Sequence, residues 1–290
     1  MDADEIEQAV EQRRVWLQGQ LDAAAARFGV ELVGEVVNTF DMRSAGAPAR
    51  EGERVVWLRV VVEDPDYQPA CRWDGNVDAN SIRGVPKPEV LRWADWHHCG
   101  SYLAGRRLRG EVMTLAPGST IAPGGVLFDD PHLPQSWWAD LGVALVALAA
   151  YPVAMDHELG AVRYTINGVR QHFGITLTQD TFANLAWAMA HADLHWGNLR
   201  GPTLCILDWE SWRAAPAGYD AATLYCHSLL HPPTAQRVRA LPVLGTRSGQ
   251  IALLSAICRY LWVIGEGSDL DQTEEHLRSE GSDIAIHLAR

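Results

Sequence analysis

The chain has 290 residues, of which 48% are hydrophobic and 21% charged, and a formal net charge of −12. That length and apolar content supply a sizeable core without staples, either for one large domain or for two lobes sharing a cleft. The acidic balance argues against nonspecific nucleic-acid binding, because a polyanion is repelled. No apolar run reaches the roughly 18 residues that span a bilayer. The opening "MDADEIEQAVEQ" lacks the basic head and apolar middle of a signal peptide, so the expected location is cytoplasmic, with no membrane partner. The five cysteines (71, 99, 205, 226 and 258) form no Cys-x-x-Cys pair, which argues against a disulfide framework and a thiolate zinc site.

In chain order, residues 2–28 read as an amphipathic helix with Ile6, Val10, Val15, Trp16 and Leu17 broadly on one side, ended by Gly29. "VELVGEVVNTF" and "ERVVWLRVVVE" are rich in β-branched and aromatic residues and read as strands. The intervening "DMRSAGAPAREG" has the turn-formers of a hairpin with a further short strand. "GVPKP" (84–88) is a rigid extended connector, since proline disfavours helix in the residue before it. A short strand near "GEVMTLAPG" follows, and then the pattern changes. "QSWWADLGVALVALAAY" has apolar residues at helical spacing, with further helices expected at 162–173, 180–188, 219–230, 249–264 and 272–289. Strands first and helices second make an α+β chain. The boundary falls near 113–118, giving an N-terminal lobe at 1–113 and a C-terminal lobe at 114–290.

"AHADLHWGNLRGPTLCILDWESW" (190–212) carries the densest potential chemistry. His191, Asp193 and His195 alternate, so an extended segment would point them to one side, as a metal clasp requires. A buried loop with backbone-bonded histidines is the plainer reading and ranks above the clasp. A phosphoryl-transfer loop is the third. It needs a carboxylate beside the attacking hydroxyl and oxygen ligands for Mg²⁺. Asp193 can be the first, while Asn198 and Asp208, the latter returned by a hairpin through "LRGPTLCIL", can be the ligands.

"HADLHWGN", then "ILDWE", then "APAGYDAATL" resemble the catalytic segment of the aminoglycoside phosphotransferase and choline kinase superfamily, usually written His-Gly-Asp-Leu-His-x-x-Asn followed by Ile-Asp-x-Glu. "GVPKPEVL", "EVMTLAPG" and "LGVALVAL" resemble its connector, hinge strand and next helix, so the likeness covers roughly residues 30–230. The resemblance implies a two-lobed, protein-kinase-like fold, with a small β-rich N-lobe behind a leading helix and a larger, mainly helical C-lobe. It implies Asp193 as catalytic base, Asn198 and Asp208 as Mg²⁺ ligands, Asp220 as the carboxylate bracing the loop, and His191 as loop support. Met113 would back the adenine pocket, with the backbone of Thr114 and Ala116 bonding adenine and Asn38 and Thr39 approaching the phosphates.

The departures are Ala192 for glycine, Trp196 for proline, Trp209 where kinases often have Phe, and the strand lysine. Lys87, in the connector, is the only lysine of the chain, and "VVWLRVV" puts Arg59 where the family has the residue that grips the α- and β-phosphates. A guanidinium can do this, being bulkier but forked. Its acidic partner from "WDGNVDANSI" would be Asp74 or Asp78.

The implied activity is phosphoryl transfer from ATP, or another nucleoside triphosphate, with Mg²⁺, to a hydroxyl of a small molecule; an acidic cleft would suit a cationic one such as an aminoglycoside or choline-like amine. Two alternatives stand beside it. One is a kinase for Ser or Thr of a ribosomally made precursor peptide, as in lanthipeptide pathways. The other is a nucleotide-binding pseudokinase serving as a scaffold. Trp196, Trp209 and Trp212 would either stack on the acceptor or pack the core.

Overall fold

A computed structural model describes residues 3–39, 41–63, 72–153, 158–265, 267 and 269–290. The chain forms two compact units, Met1–Asn80 with Pro88–Ala116, and Ser81–Lys87 with Pro117–Arg290. Cys71 and His157 lie outside the described residues.

The N-terminal unit begins with helix α1 (Ala3–Phe28). Its buried stripe is Leu17, Leu21, Ala24 and Ala25, whereas Ile6, Val10 and Val15 are exposed. The expected apolar face is therefore displaced toward the C-terminal half of the helix, the half that anchors it to the sheet. Gly29 closes it at φ 66°, and the Val30 N–H bonds back to Ala25 O at 3.0 Å, the Schellman arrangement that glycine makes cheap.

Then come β1 (Glu31–Leu32), β2 (Val37–Asn38), β3 (Ser44–Glu51), β4 (Arg54–Val62), the single-turn α2 (Gly75–Asp78), β5 (Val90–His97) and β6 (Arg107–Thr114). The sheet order is β1-β3-β4-β6-β5, with β2 also on β3 and every pairing antiparallel. The strand expected from "VELVGEVVNTF" is thus two fragments. Gly34 lies between them, so close to the sheet that a Cβ would stand 2.8 Å from the Pro48 ring. The "further short strand" is the eight-residue β3, and β5 was not expected at all.

Period-two alternation sorts the faces. Ala45, Ala47, Ala49, Val56, Leu58, Val60 and Val112 join the α1 stripe in one core cluster. Their alternates Gly46, Trp57, Arg59, Glu111 and Met113 belong to the opposite face. The glycine of "NTFDMRSAG" is Gly46, in β3 rather than at a loop tip, where a Cβ would meet the Trp57 ring at 2.7 Å.

The C-terminal unit contains β7 (Ser119–Thr120), α3 (Gln135–Ala149), α4 (Glu158–Phe173), β8 (Trp187–Ala190), β9 (Leu199–Gly201), β10 (Cys205–Ile206), β11 (Arg213–Pro216), α5 (Tyr219–Cys226), α6 (Pro232–Arg239), α7 (Arg247–Val263) and α8 (Glu274–Leu288). α7 is its central helix, buried from Ile251 to Cys258 and packed by α4, α5 and α8. The helix expected at 180–188 is a 3-10 turn at 179–182 followed by β8. Asn184 between them is left-handed, φ 58°, which no helix continues through. α6 was unexpected; Pro232 starts it.

Candidate active site

The loop candidates lie between β8 and α5. β8 pairs with β11, Ala190 opposite Arg213, so the loop leaving one strand and the segment entering the other start side by side. Asp220, in the first turn of α5, is buried and accepts the backbone N–H groups of His191 at 2.8 Å and Ala192 at 2.9 Å. The donors converge because Ala192 is left-handed, φ 65°, a conformation costing a non-glycine residue about 1–2 kcal/mol. The two charge-assisted bonds offset that cost. Burial pushes the Asp220 carboxyl up, and His191 and the two N–H bonds oppose the shift.

Asp193 follows, half-buried. Its Oδ1 is 2.8 Å from Nη2 of Arg259 on α7, whose Nη1 donates to the Ala192 carbonyl at 2.7 Å. One guanidinium therefore holds both the backbone and the carboxylate of consecutive loop residues. Burial works against the charge, but Arg259, His195 and His191 outweigh it and hold the carboxyl down at about 2. Asp193 is an anion at neutral pH that accepts a hydrogen bond readily and a whole proton reluctantly.

His195 stands 3.7 Å from Asp193 Oδ2. Its Nδ1 is 3.1 Å from Gly197 N and its Nε2 is 3.2 Å from Asn198 Nδ2. A neutral imidazole has one acceptor nitrogen, so the tautomer selects one of these bonds. Burial lowers its pKa against the pull of Asp193. Gly125 and Gly197 make room for the ring, since a Cβ on either would lie 3.1 or 2.9 Å from it.

Asn198 Nδ2 donates to the Asp193 carbonyl at 3.0 Å, which leaves Oδ1 as the oxygen donor of the amide. The Asn198 carbonyl accepts from Leu207 N at 2.8 Å, and the Leu207 carbonyl accepts from His191 Nε2 at 2.8 Å. The residue before Asp208 is thereby bonded to both ends of the Asp193 loop. Asp208 itself is exposed and left-handed, φ 59°. A carboxylate and an amide oxygen suit a hard cation that keeps some waters and takes its other ligands from phosphates, as Mg²⁺ does. The His191-Asp193-His195 clasp fails: His191 is fully buried with Nε2 on Leu207, and the described residues contain no cluster of three His, Cys, Asp or Glu suited to a metal.

In the N-terminal unit, Arg59 on β4 lies opposite Glu111 on β6. Nη1 is 3.5 Å from Oε2, and the same oxygen accepts from Nδ2 of Asn76 on α2 at 3.0 Å. The acids that the sequence offers Arg59 meet other arginines. Asp74 is 2.8 Å from Arg109 and Asp78 is 2.7 Å from Arg72. Arg109, fully buried, also takes Asp95 with two nitrogens at 2.7 and 3.1 Å and lies over the rings of Trp93 and Trp73. It fastens residues 73–74 to the sheet and draws Asp74 away from the role expected for it.

Met113 is buried on the Arg59 face. The Thr114 N–H donates to Glu89 O at 2.9 Å and its hydroxyl accepts from Glu89 N at 2.9 Å, so that N–H is already engaged. Ala116, half-exposed, ends the unit. Thr39 Oγ1 accepts from Arg43 N at 3.2 Å and Ser44 N at 3.0 Å. It closes the β2–β3 turn. Asn38, opposite Ala45, has a buried Oδ1 without a hydrogen-bond partner among the described residues.

The tryptophans pack. Trp196 is fully buried, donates to Ser228 Oγ at 2.9 Å and stacks on Trp137, while Trp209 donates to Ile206 O at 2.8 Å and meets the His191 ring edge-on. Trp212 is buried against Tyr151. Sequence reasoning missed Glu111, Asn76 and Arg259. A buried-acid position on a strand hints at the first, and nothing local announces the last.

No protein-family model and no curated protein matches the chain. Solved structures do. Amicoumacin kinase hAmiN, in complex with AMP-PNP, Ca²⁺ and amicoumacin, is 14% identical, with 97% of this chain and 96% of that one covered at a TM-score of 0.55. A thermostable mutant of aminoglycoside phosphotransferase APH(4)-Ia, with AMP-PNP and hygromycin B, is 14% identical, covering 92% and 97% at 0.55. A choline/ethanolamine kinase family protein from Mesorhizobium loti is 16% identical, covering 89% and 93% at 0.52. The chain shares the kinase-like fold of these aminoglycoside phosphotransferase and choline/ethanolamine kinase family structures.

Proposed function

We propose that this protein is an ATP-dependent O-phosphotransferase acting on a hydroxyl of a small molecule. The observation that carries the reading is the bonded mesh of the C-terminal unit, in which Asp220, His191, Asn198 and Leu207 hold Asp193 and Asp208 through backbone groups. A scaffold that had abandoned catalysis would have no need of a left-handed Ala192 or of an arginine on the Asp193 carboxylate. The fold neighbours support a small-molecule acceptor, since their complexes hold hygromycin B and amicoumacin.

Asn198 Oδ1 and the Asp208 carboxylate would hold a divalent cation, which when bound neutralises phosphate charge. Asp193 accepts the hydrogen bond of the acceptor hydroxyl and aims its oxygen lone pair at the γ-phosphorus. The oxygen–phosphorus bond forms as the bond to the β-phosphate oxygen breaks, ADP leaves, and the hydroxyl proton passes to Asp193 and then to water. With its carboxyl held so low, Asp193 contributes chiefly by orientation, and the proton moves late. Arg59 would grip the α- and β-phosphates.

The test is incubation with Mg-ATP and a panel of hydroxyl-bearing antibiotics, amino sugars and choline-like alcohols, read by mass gain of one phosphoryl group. Transfer that disappears in Asp193→Asn supports the reading. Transfer that survives the substitution, or none to any acceptor or to water, contradicts it.

A further inference from the structure

We propose that Glu111 is the positioning residue of Arg59, holding the guanidinium for the triphosphate from the neighbouring strand of the same sheet. The inference rests on the function proposed above for Arg59, and goes beyond it in naming what aims the cation.

Register is the first support. Arg59 and Glu111 are directly opposed on antiparallel strands, where facing side chains leave the backbone about 5 Å apart at Cβ. On the other side of β4 the residue opposed to Arg59 is Gly46, which puts no side chain in competition. Burial is the second. The Glu111 side chain is 2% exposed and that of Arg59 12%. A carboxylate so withdrawn from water is costly unless it is paired and hydrogen-bonded, and here it is both.

The third support is the division of acids over this face. Asp95 is committed to Arg109 and Arg107, and Asp74 to Arg109. Burial opposes the charge of Asp95, yet the arginine bonds hold its carboxyl at about 2. That network is a fixed brace. Glu111 is set against Arg59 across the ladder, and α2 contributes a neutral amide, Asn76, which orients the carboxylate without competing for its charge.

The physical consequence is that the cation is aimed by the sheet itself. Two residues on hydrogen-bonded strands keep their separation whatever the single-turn α2 does, so the Arg59 geometry is preset before nucleotide arrives. Lysine at 59 could still reach a directly opposed glutamate, unlike a more distant aspartate, but would lose the fork.

The experiment is calorimetric titration of the full chain with ATP and, separately, adenosine, both with Mg²⁺. Adenosine lacks the groups that Arg59 meets. Glu111→Gln keeps size and can still accept from Asn76, so it removes charge alone. It should weaken ATP about tenfold, the size expected for a lost charge-assisted contact, and leave adenosine within about twofold. Arg59→Met should weaken ATP at least as much, and Arg59→Lys only about threefold. Arg59→Met with Glu111→Met removes the buried pair together, which proteins tolerate better than half of one. It should bind ATP as Arg59→Met does, because Glu111 acts through Arg59. Unchanged ATP affinity in Glu111→Gln, equal losses for ATP and adenosine, or an additive double variant would each overturn the proposal. A parent protein that binds neither ligand would bring down the proposed function itself, and this inference with it.

Discussion

The two regions that carry site residues are built by different means. In the C-terminal unit the loop from His191 to Asn198 is held by backbone groups: Asp220 takes two N–H bonds, Leu207 takes and gives one each, and Asn198 ties back to the Asp193 carbonyl. In the N-terminal unit Arg59 meets the side chain of Glu111 across the ladder, and that carboxylate is in turn bonded by Asn76 from α2. A backbone-held loop fixes where a carboxylate stands almost regardless of what else the sequence does. A side-chain-held cation can change its partner while the strand stays put, as the pairing with Glu111 in place of the expected Asp74 or Asp78 illustrates.

The contrast can be broken most severely at Asp193. Asp193→Asn keeps the loop bonds and removes the charge, so turnover should fall by about 10²–10⁴ while the melting temperature and Mg-ATP affinity stay near the parent values. A comparable loss of stability would mean that the carboxylate, and not the backbone, holds the loop. Asp220→Ala should do the reverse. It orphans two buried N–H groups at about 1–3 kcal/mol each, lowering the melting temperature along with activity, whereas Asp220→Asn should recover part of the stability.

Arg259→Leu sharpens the comparison by removing the guanidinium that holds both the Asp193 carboxylate and the Ala192 carbonyl. With its salt-bridge partner gone, the Asp193 rotamer loosens, and kcat should fall about 10- to 100-fold with little change in KM for ATP. Arg259→Lys should fall between. An Arg259→Leu enzyme with unchanged kcat would show that the backbone bonds suffice.

The smallest effect is a pH dependence. His227, buried beside His195 and Tyr260, has a pKa lowered to about 3 by burial first and by His195 second. Its unfolded value is about 6.5, so between those values the unfolded chain binds the extra proton. The stability this neutral ring contributes is complete above about pH 6.5 and declines as pH falls toward 3. His227→Gln should show a shallower drop in melting temperature between about pH 7 and pH 5 than the parent. Parallel curves would remove His227 from the acid response.

Legibility in the sequence followed the same division. The loop reads as a contiguous motif, so Asp193, Asn198 and Asp208 could be named from the segment itself, and His191 and Asp220 from the family resemblance of that segment and of "APAGYDAATL". Arg259 could not, since it lies 66 residues downstream and meets Asp193 only through the packing of α7. Glu111 needed the strand register, which no single-strand pattern reveals. The N-terminal fold blurred for similar reasons. β5 mixes charged and aromatic residues, with Asp95 held by Arg107 and Arg109 rather than an apolar neighbour, and "VELVGEVVNTF" reads as one strand because the Gly34–Pro48 contact is invisible locally.

The central claim, that Asp208 and Asn198 present oxygens to a cation that joins the nucleotide to the protein, is tested most directly by ATP-induced melting shifts with Mg²⁺ and with chelator. Binding to the folded state raises the melting temperature by mass action. The parent protein should shift by several degrees with Mg-ATP and much less with ATP and chelator, and Asp208→Asn should show only the smaller shift. Equal shifts in both conditions, or a large shift with zinc and no nucleotide, would contradict the account.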